Sequence, residues 1–416
     1  MDVTLGHRLT IDVPLSLSES ERRRHIYLAG KTGTGKSTLL LNLMLQDLAA
    51  RRGFALIDPH GDLAQTVADT VPPERIADTI YVDPLDETHA VGFNPLQRVP
   101  ESTRPLAAEH FVSAMKAIYP DSWGPNLDDI LYNATRLLLD APGSTLLGIR
   151  HLLINRGYRE KLLRYCADRE IRAFWEGYWE GKPPKQQTEE MRSTLNKVSR
   201  FNADPVLRAT LGQSRATIDI PAIMDSGKVL IVNLAKGRLG DKPAQLIGAS
   251  LVSAFAQAAE TRATIPESER RDFTLYVDEF QNFASLSFGT ILSEARKWRL
   301  NLVLANQFLA QLPQALRDAV LGNVGTLVTF RVGASDATIL AAELGIDNAA
   351  ALTDTPNFEA WVKLLRNGVP ADAIPIRTLP ASVAGGRLPA VVSRTRARYG
   401  QPRHKVEQAI ARRYPA

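Results

Sequence analysis

Apolar and polar positions alternate through the first twenty residues, with Val3, Leu5, Leu9, Ile11 and Val13 in phase, and this predicts a short hairpin. His25 to Ala29 then reads as a buried strand, Ser37 to Leu48 as a helix, and Phe54 to Ile57 as a second strand that ends at Asp58. A short apolar run, a longer helical one and another short apolar run make a βαβ unit, the building block of a parallel sheet covered by helices. Ile80 to Val82 adds a further short strand. Beyond Asn94-Pro95 the β-branched runs thin out, and Leu106 to Ile118, Asp128 to Leu139 and Glu189 to Phe201 are predicted helices. Alternation resumes with strands at Val229 to Leu234, Phe273 to Val277, Leu302 to Ala305 and Thr326 to Phe330, separated by helices at Gln245 to Ala259 and Phe288 to Trp298.

The expected organisation is one α/β domain split by a helical insertion. Residues 1–99 hold its first part, 100–212 an inserted all-α domain, 213–385 its second part, and 386–416 a basic C-terminal tail. The 416 residues suffice for two to three domains. A formal net charge of +5 permits a polyanionic partner without identifying one. The surplus is concentrated at the end, where Arg387, Arg394, Arg396, Arg398, Arg403, Lys405, Arg412 and Arg413 face Glu407 alone, and partial disorder is expected there. The insertion is nearly balanced in charge, so it is not an evident nucleic-acid surface. A lone Cys166 excludes an internal disulfide, the histidines show no metal-ligand spacing, and no apolar run reaches the ~20 residues of a membrane helix. A soluble cytoplasmic protein is the expectation.

The candidate chemistry starts at Gly30-Lys31-Thr32-Gly33-Thr34-Gly35-Lys36-Ser37. Glycines at this spacing let consecutive backbone N–H groups turn toward phosphates, and the following helix adds its positive N-terminal end. The pattern counts here because it follows a strand and opens a helix. Gly30, Lys31, Thr32, Gly33, Thr34, Gly35, Lys36, Ser37 and Thr38 are therefore expected to bind ATP, with Lys36 on the β and γ phosphates and the Ser37 hydroxyl on Mg²⁺. The predicted fold is a RecA-like P-loop NTPase domain with a mostly parallel sheet.

A hydrolytic site needs a carboxylate-bearing strand, and Phe273 to Val277 delivers Asp278 and Glu279 to its C-terminal edge. Asp278 is the expected metal partner and Glu279 the general base that polarises the attacking water. The strand Leu302 to Ala305 ends at Asn306-Gln307; if it lies between the other two strands, Gln307 faces the γ-phosphate and senses its loss. Two further motifs carry less. Asp58-Pro59-His60-Gly61-Asp62 follows a strand at the nucleotide edge and reads equally well as a turn, and Trp123-Gly124-Pro125 marks a turn and a helix start in the insertion.

With these residues in place, the chain resembles the conjugative coupling ATPases of type IV secretion systems, the TraG/TraD-like branch of the HerA/FtsK superfamily. The resemblance rests on His25 to Thr38, on Leu56 to Asp62, on Leu275 to Gln311 and on the Arg-Tyr-Gly-x-Pro-Arg stretch within Ser393 to Val406. It implies a homohexameric ring that hydrolyses ATP between subunits and moves DNA. A neighbour's arginine completes each site in such rings, and Arg296 sits where the family's finger is expected, with Arg331 as the rival. Arg296-Lys297-Trp298-Arg299 also reads as an ordinary solvated helix end. Typical coupling proteins begin with transmembrane helices, whereas only the hairpin precedes the P-loop strand here; recruitment by a membrane-anchored partner subunit at the inner membrane and a HerA-like cytoplasmic translocase are both compatible with that. A non-motor, ATP-dependent assembly factor is the competing class, disfavoured by Glu279, and a small-molecule kinase is weaker because no lid segment is recognisable.

Overall fold

The structure, a computed structural model, describes residues 2–284, 288–366, 368–381 and 385–415. The chain divides into two compact units. One comprises Met1–Val82, Ile220–Lys236 and Ala258–Thr395, the other Asp83–Asp219, Gly237–Gln257 and Arg396–Ala416.

The first unit is built on one sheet whose strands are β1 (Val3–Arg8), β2 (Pro14–Leu17), β3 (Ile26–Ala29), β4 (Gly53–Asp58), β5 (Thr79–Val82), β7 (Val229–Asn233), β8 (Phe273–Val277), β9 (Leu300–Asn306), β10 (Thr326–Thr329), β11 (Glu359–Arg366), β12 (Val369–Pro370) and β13 (Ile374–Thr378). A small β6 (His89–Val91) and β14 (Gly400–Pro402) pair apart from it, in the second unit. Along the main sheet the order is β2-β1-β13-β11-β10-β3-β9-β8-β4-β7-β5, with β12 beside β11. From β10 to β5 every pairing is parallel. These strands are predominantly apolar, as a parallel sheet covered on both faces requires, and β3, β4, β7 and β8 are buried at every position. The hairpin predicted at the N-terminus forms, and it extends the sheet antiparallel through β13.

One buried polar network ties the phosphate-loop helix, Lys36–Ala49, to the sheet, and a second ties the start of β3 to β9. Arg22 forks both oxygens of Asp47 at 2.7 Å, and Tyr276 of β8 donates to the same carboxylate at 2.6 Å. Burial and Asp47 together raise the Tyr276 phenol well above its ordinary range, so it stays a donor. At the start of β3, His25 Nδ1 accepts from the Leu302 amide of β9 at 3.1 Å, so its Nε2 carries the proton and donates to Leu292 O at 3.1 Å. Burial holds this imidazole down at about 4, hence neutral.

The second unit is mainly helical, with Arg104–Ile118, Pro125–Asp140, Gly148–Ile154, Arg156–Leu163, Pro184–Ala203 and Pro205–Leu211, and Trp175 and Trp179 are fully buried in it. Pro125 opens its helix at the predicted turn, with Trp123 Nε1 donating to Asp128 at 2.7 Å. The sequence reading set the tail apart as partly disordered, and the structure corrects this. Leu388–Tyr399 and Arg403–Arg413 are helices, and Val406, Ile410 and Tyr414 join Ala90, Leu147 and Ala209 in a core cluster of the second unit. The arginines that suggested disorder occupy the outward side of helices whose apolar residues recur every four positions, a pattern masked by the charge.

Candidate nucleotide site

The loop between β3 and its helix turns in the way the sequence requires. Gly33 and Gly35 adopt φ of 76° and 121°, values that a side chain would strain, and a Cβ on Gly35 would press on Phe330 and Phe358 at 3.1 and 3.2 Å. Thr34 does not face the loop's mouth: it is fully buried and its hydroxyl closes the turn onto Lys31 O at 2.7 Å. Lys36 donates to the carbonyls of Gly30 and, at 3.1 Å, Lys31. Burial lowers its ammonium pKa, opposed by the charges of Glu279 and Asp278.

A cavity of about 650 Å³ opens over this loop. Thr32, Gly33, Gly35, Lys36, Ser37 and Thr38 form one wall, and Asp58, Asp278, Glu279 and Gln307 another. The strand order explains the meeting: β9 lies between β3 and β8, so Gln307 emerges beside both the loop and the acidic pair. Gln307 accepts from the Thr32 hydroxyl at 3.0 Å and donates to Glu279 Oε1 at 2.7 Å. Gln281 donates to the other Glu279 oxygen at 2.6 Å and accepts from Asn306 at 3.1 Å. The Glu279 carboxylate is thus gripped on both sides. Its backbone is held at φ 46° and ψ 51°, a left-handed conformation that is costly for a residue with a side chain and aims it back over the strand end.

Asp278 is the electrostatically stressed member. Burial first, then the nearby charges of Asp58 and Glu279, push its carboxyl up to about 7. Asp58 is fully buried and organises the turn after β4, accepting from the amides of His60 and Ala64 at 2.9 Å each. Gly61 in this turn has φ 95°, and a Cβ there would collide with Asn233 Oδ1 at 2.4 Å. The Asp58 to Asp62 motif is therefore both a turn and a wall of the cavity. A buried carboxylate crowded by two others is a donor set suited to a cation, and Ser37 and Asp278 are the oxygens that would hold Mg²⁺. Among the described residues no group of three or more His, Cys, Asp or Glu forms a self-sufficient metal cage. A magnesium ion here would complete its shell with phosphate oxygens and water.

Neither arginine singled out in the sequence lines this cavity. Arg296 lies in the turn Ala295–Trp298 that precedes β9, is exposed, and is separated from Gln307 by the length of that strand, roughly 20 Å. Arg331 follows β10 on the loop's side, where its carbonyl accepts from the Lys31 amide at 2.8 Å and its guanidinium donates to Asn357 at 2.7 Å. Sequence reasoning missed Phe358, which lines the cavity 48% exposed with φ 64° and is pinned by its amide to Thr34 O at 2.7 Å. The strands flanking it, β11 and β13, were also missed, although Glu359–Arg366 alternates in burial with strict period two.

A glycine-rich loop between a parallel strand and a helix, opposed by an acidic strand end across one intervening strand, defines a RecA-like P-loop NTPase. The family model for the central domain of helicase HerA matches residues 3–254, and the chain belongs to that family. In fold it is similar to the bacterial conjugative coupling protein TrwBdeltaN70 in its unbound form, with a TM-score of 0.62 at 16% identity over 92% of this chain and 91% of that one. It matches the plasmid coupling protein TrwB in complex with ADP and Mg²⁺ with a TM-score of 0.62, at 16% identity and 92% coverage of both chains. VirB4 of Thermoanaerobacter pseudethanolicus aligns with a TM-score of 0.59, at 14% identity over 91% of this chain and 96% of that one. No curated protein matches the chain in sequence.

Proposed function

We propose that the chain is an ATP-hydrolysing DNA translocase that works as a homohexameric ring, a coupling ATPase of conjugative DNA transfer or type IV secretion. The observation that carries this reading is the hydrogen-bonded path from Thr32 of the phosphate loop through Gln307 to Glu279. A protein that only stores nucleotide has no need for a buried glutamate held on both oxygens and tied to the loop. Glu279 takes the proton of the attacking water, Lys36 offsets charge developing on the phosphates, and Gln307 reports changes at the phosphate to the acidic strand. Mg²⁺ held at Ser37 and Asp278 would neutralise phosphate charge. Arg296, exposed and distant from its own loop, is offered to a neighbour's site.

Recruitment by a membrane-anchored partner subunit is part of this proposal. Among the described residues no helix is long and apolar enough to cross a membrane. A second reading, a HerA-like translocase in DNA processing, is favoured by the family match over residues 3–254. Both readings require DNA to stimulate turnover. Steady-state ATP hydrolysis measured with and without duplex DNA should rise severalfold on addition of DNA; a rate indifferent to DNA across a salt titration would favour the assembly-factor class instead.

A further inference from the structure

Outside the nucleotide site, the second unit contains a cleft of about 980 Å³. Its cations are Arg215, Arg398, Lys405 and Arg413, all exposed, and its lining among the described residues includes neither a carboxylate nor an aromatic side chain. The acids nearest in sequence are engaged elsewhere: Glu407 accepts from Arg208 at 3.1 Å, and Asp219 accepts from Arg98. None of the four cations has an ion-pair partner among the described residues; Arg413 makes a long contact, 3.4 Å, to the Pro142 carbonyl, and Arg413 and Arg398 lie over the rings of Tyr414 and Tyr399 at 5.8 and 5.6 Å. Four like charges converging on one cleft are mutually unfavourable unless an anion joins them.

On the helix Arg403–Arg413, Val406 and Ile410 belong to the core cluster and also form the cleft's apolar floor, while Lys405, Ala409 and Arg413 line the cleft as a stripe at four-residue spacing. Lys405 and Arg413 are thereby about 12 Å apart along the axis, with small Ala409 between them. That span is close to the roughly 12 Å width of a B-form major groove, so the two cations can meet phosphates of both strands. Ser214 and Gln401 add neutral donors to the lining. Single-stranded nucleic acid is generally held on aromatic stacking platforms, and none is present here among the described residues.

We propose that this cleft is a binding site for the phosphodiester backbone of duplex DNA, independent of base sequence. The proposal rests on the reading of the chain as a DNA motor and assigns it a DNA contact remote from the nucleotide loop in sequence, with three of its four cations, Arg398, Lys405 and Arg413, on the tail. The test is fluorescence anisotropy with a 30-base-pair duplex and with a single strand of equal length, over a range of salt, for the wild type and for R215Q/R398Q/K405Q/R413Q. Each phosphate contact contributes about 0.9 to the slope of log K against log salt, so the fourfold variant should lose about 3.6 units of slope and at least tenfold in duplex affinity. Its melting temperature and DNA-free ATP turnover should match the wild type. If the fourfold variant does not fold, K405E and R413E singly should each lower the slope by about one unit with unchanged melting. Wild-type slopes in folded variants overturn the cleft while leaving the motor reading intact, and tighter wild-type binding of the single strand overturns the duplex assignment. Absence of any wild-type DNA binding overturns both.

Discussion

Replacing Asp278 by Asn should stabilise the nucleotide-free protein at alkaline pH while destroying its activity. The carboxyl titrates at about 7 in the fold against an ordinary 3.8, because it is buried beside Asp58 and Glu279. A raised folded-state pKa means that the native state binds more protons than the unfolded chain between these values. The group's favourable contribution is therefore complete below about 4 and is lost as pH rises through 7. The gap of roughly 3 pH units, at about 1.4 kcal/mol each, corresponds to about 4 kcal/mol of destabilisation at pH 8.5. Asn keeps the acceptor that Asp278 offers to the Glu279 amide at 3.0 Å but never ionises. Thermal unfolding without nucleotide or magnesium should show Asp278→Asn melting roughly 10 °C above the wild type at pH 8.5, with the difference shrinking toward zero near pH 4. Magnesium-dependent ATP turnover should be lost at every pH. A melting difference that is constant across pH, or a variant less stable at pH 8.5, would refute the claim that this carboxylate is held charged against the fold.

Lys36→Ala should lose nearly all ATP affinity in equilibrium binding, since the loop's cation facing the phosphates is gone, whereas Glu279→Gln should bind ATP normally and hydrolyse it at least about a hundredfold more slowly. Retained affinity in the first or near wild-type turnover in the second would remove that residue from its role. Arg296→Ala should bind ATP yet lose roughly 10³-fold in turnover, and mixing it with Lys36→Ala should restore part of the activity by pairing an intact loop with an intact finger. Confirmed hexamers without recovery at any mixing ratio would move the finger to Arg331. Ile410→Ala should cost about 2–4 kcal/mol in urea unfolding, because the tail helix packs into a core; unchanged stability would make the tail an accessory segment.

The phosphate loop was legible because its chemistry is local: spacing of glycines, a preceding strand and a following helix suffice. Asp278 and Glu279 were legible for the same reason, and β9 entered between β3 and β8 as expected. What sequence could not show were pairings set by topology. Gln281 has no motif around it, and only the left-handed turn at Glu279 brings its amide to that carboxylate. Phe358 reaches the cavity because β11 and β13 bracket it, and a pairing between strands set apart by the short β12 leaves a weak local trace. Thr34 belongs to the loop's pattern, yet burial turns it inward. The tail's charge suggested disorder, whereas its apolar period of four, visible in Val406, Ile410 and Tyr414, was the truer signal.

The central claim, that ATP hydrolysis at this site drives movement along DNA, is tested most directly by displacement of a triplex-forming oligonucleotide from duplex DNA. The wild type with ATP and magnesium should release the third strand in a time-dependent manner, and Glu279→Gln should not, despite binding both ATP and DNA. Release by Glu279→Gln at the wild-type rate, or no release by a wild type that hydrolyses ATP in the presence of that DNA, would contradict the account.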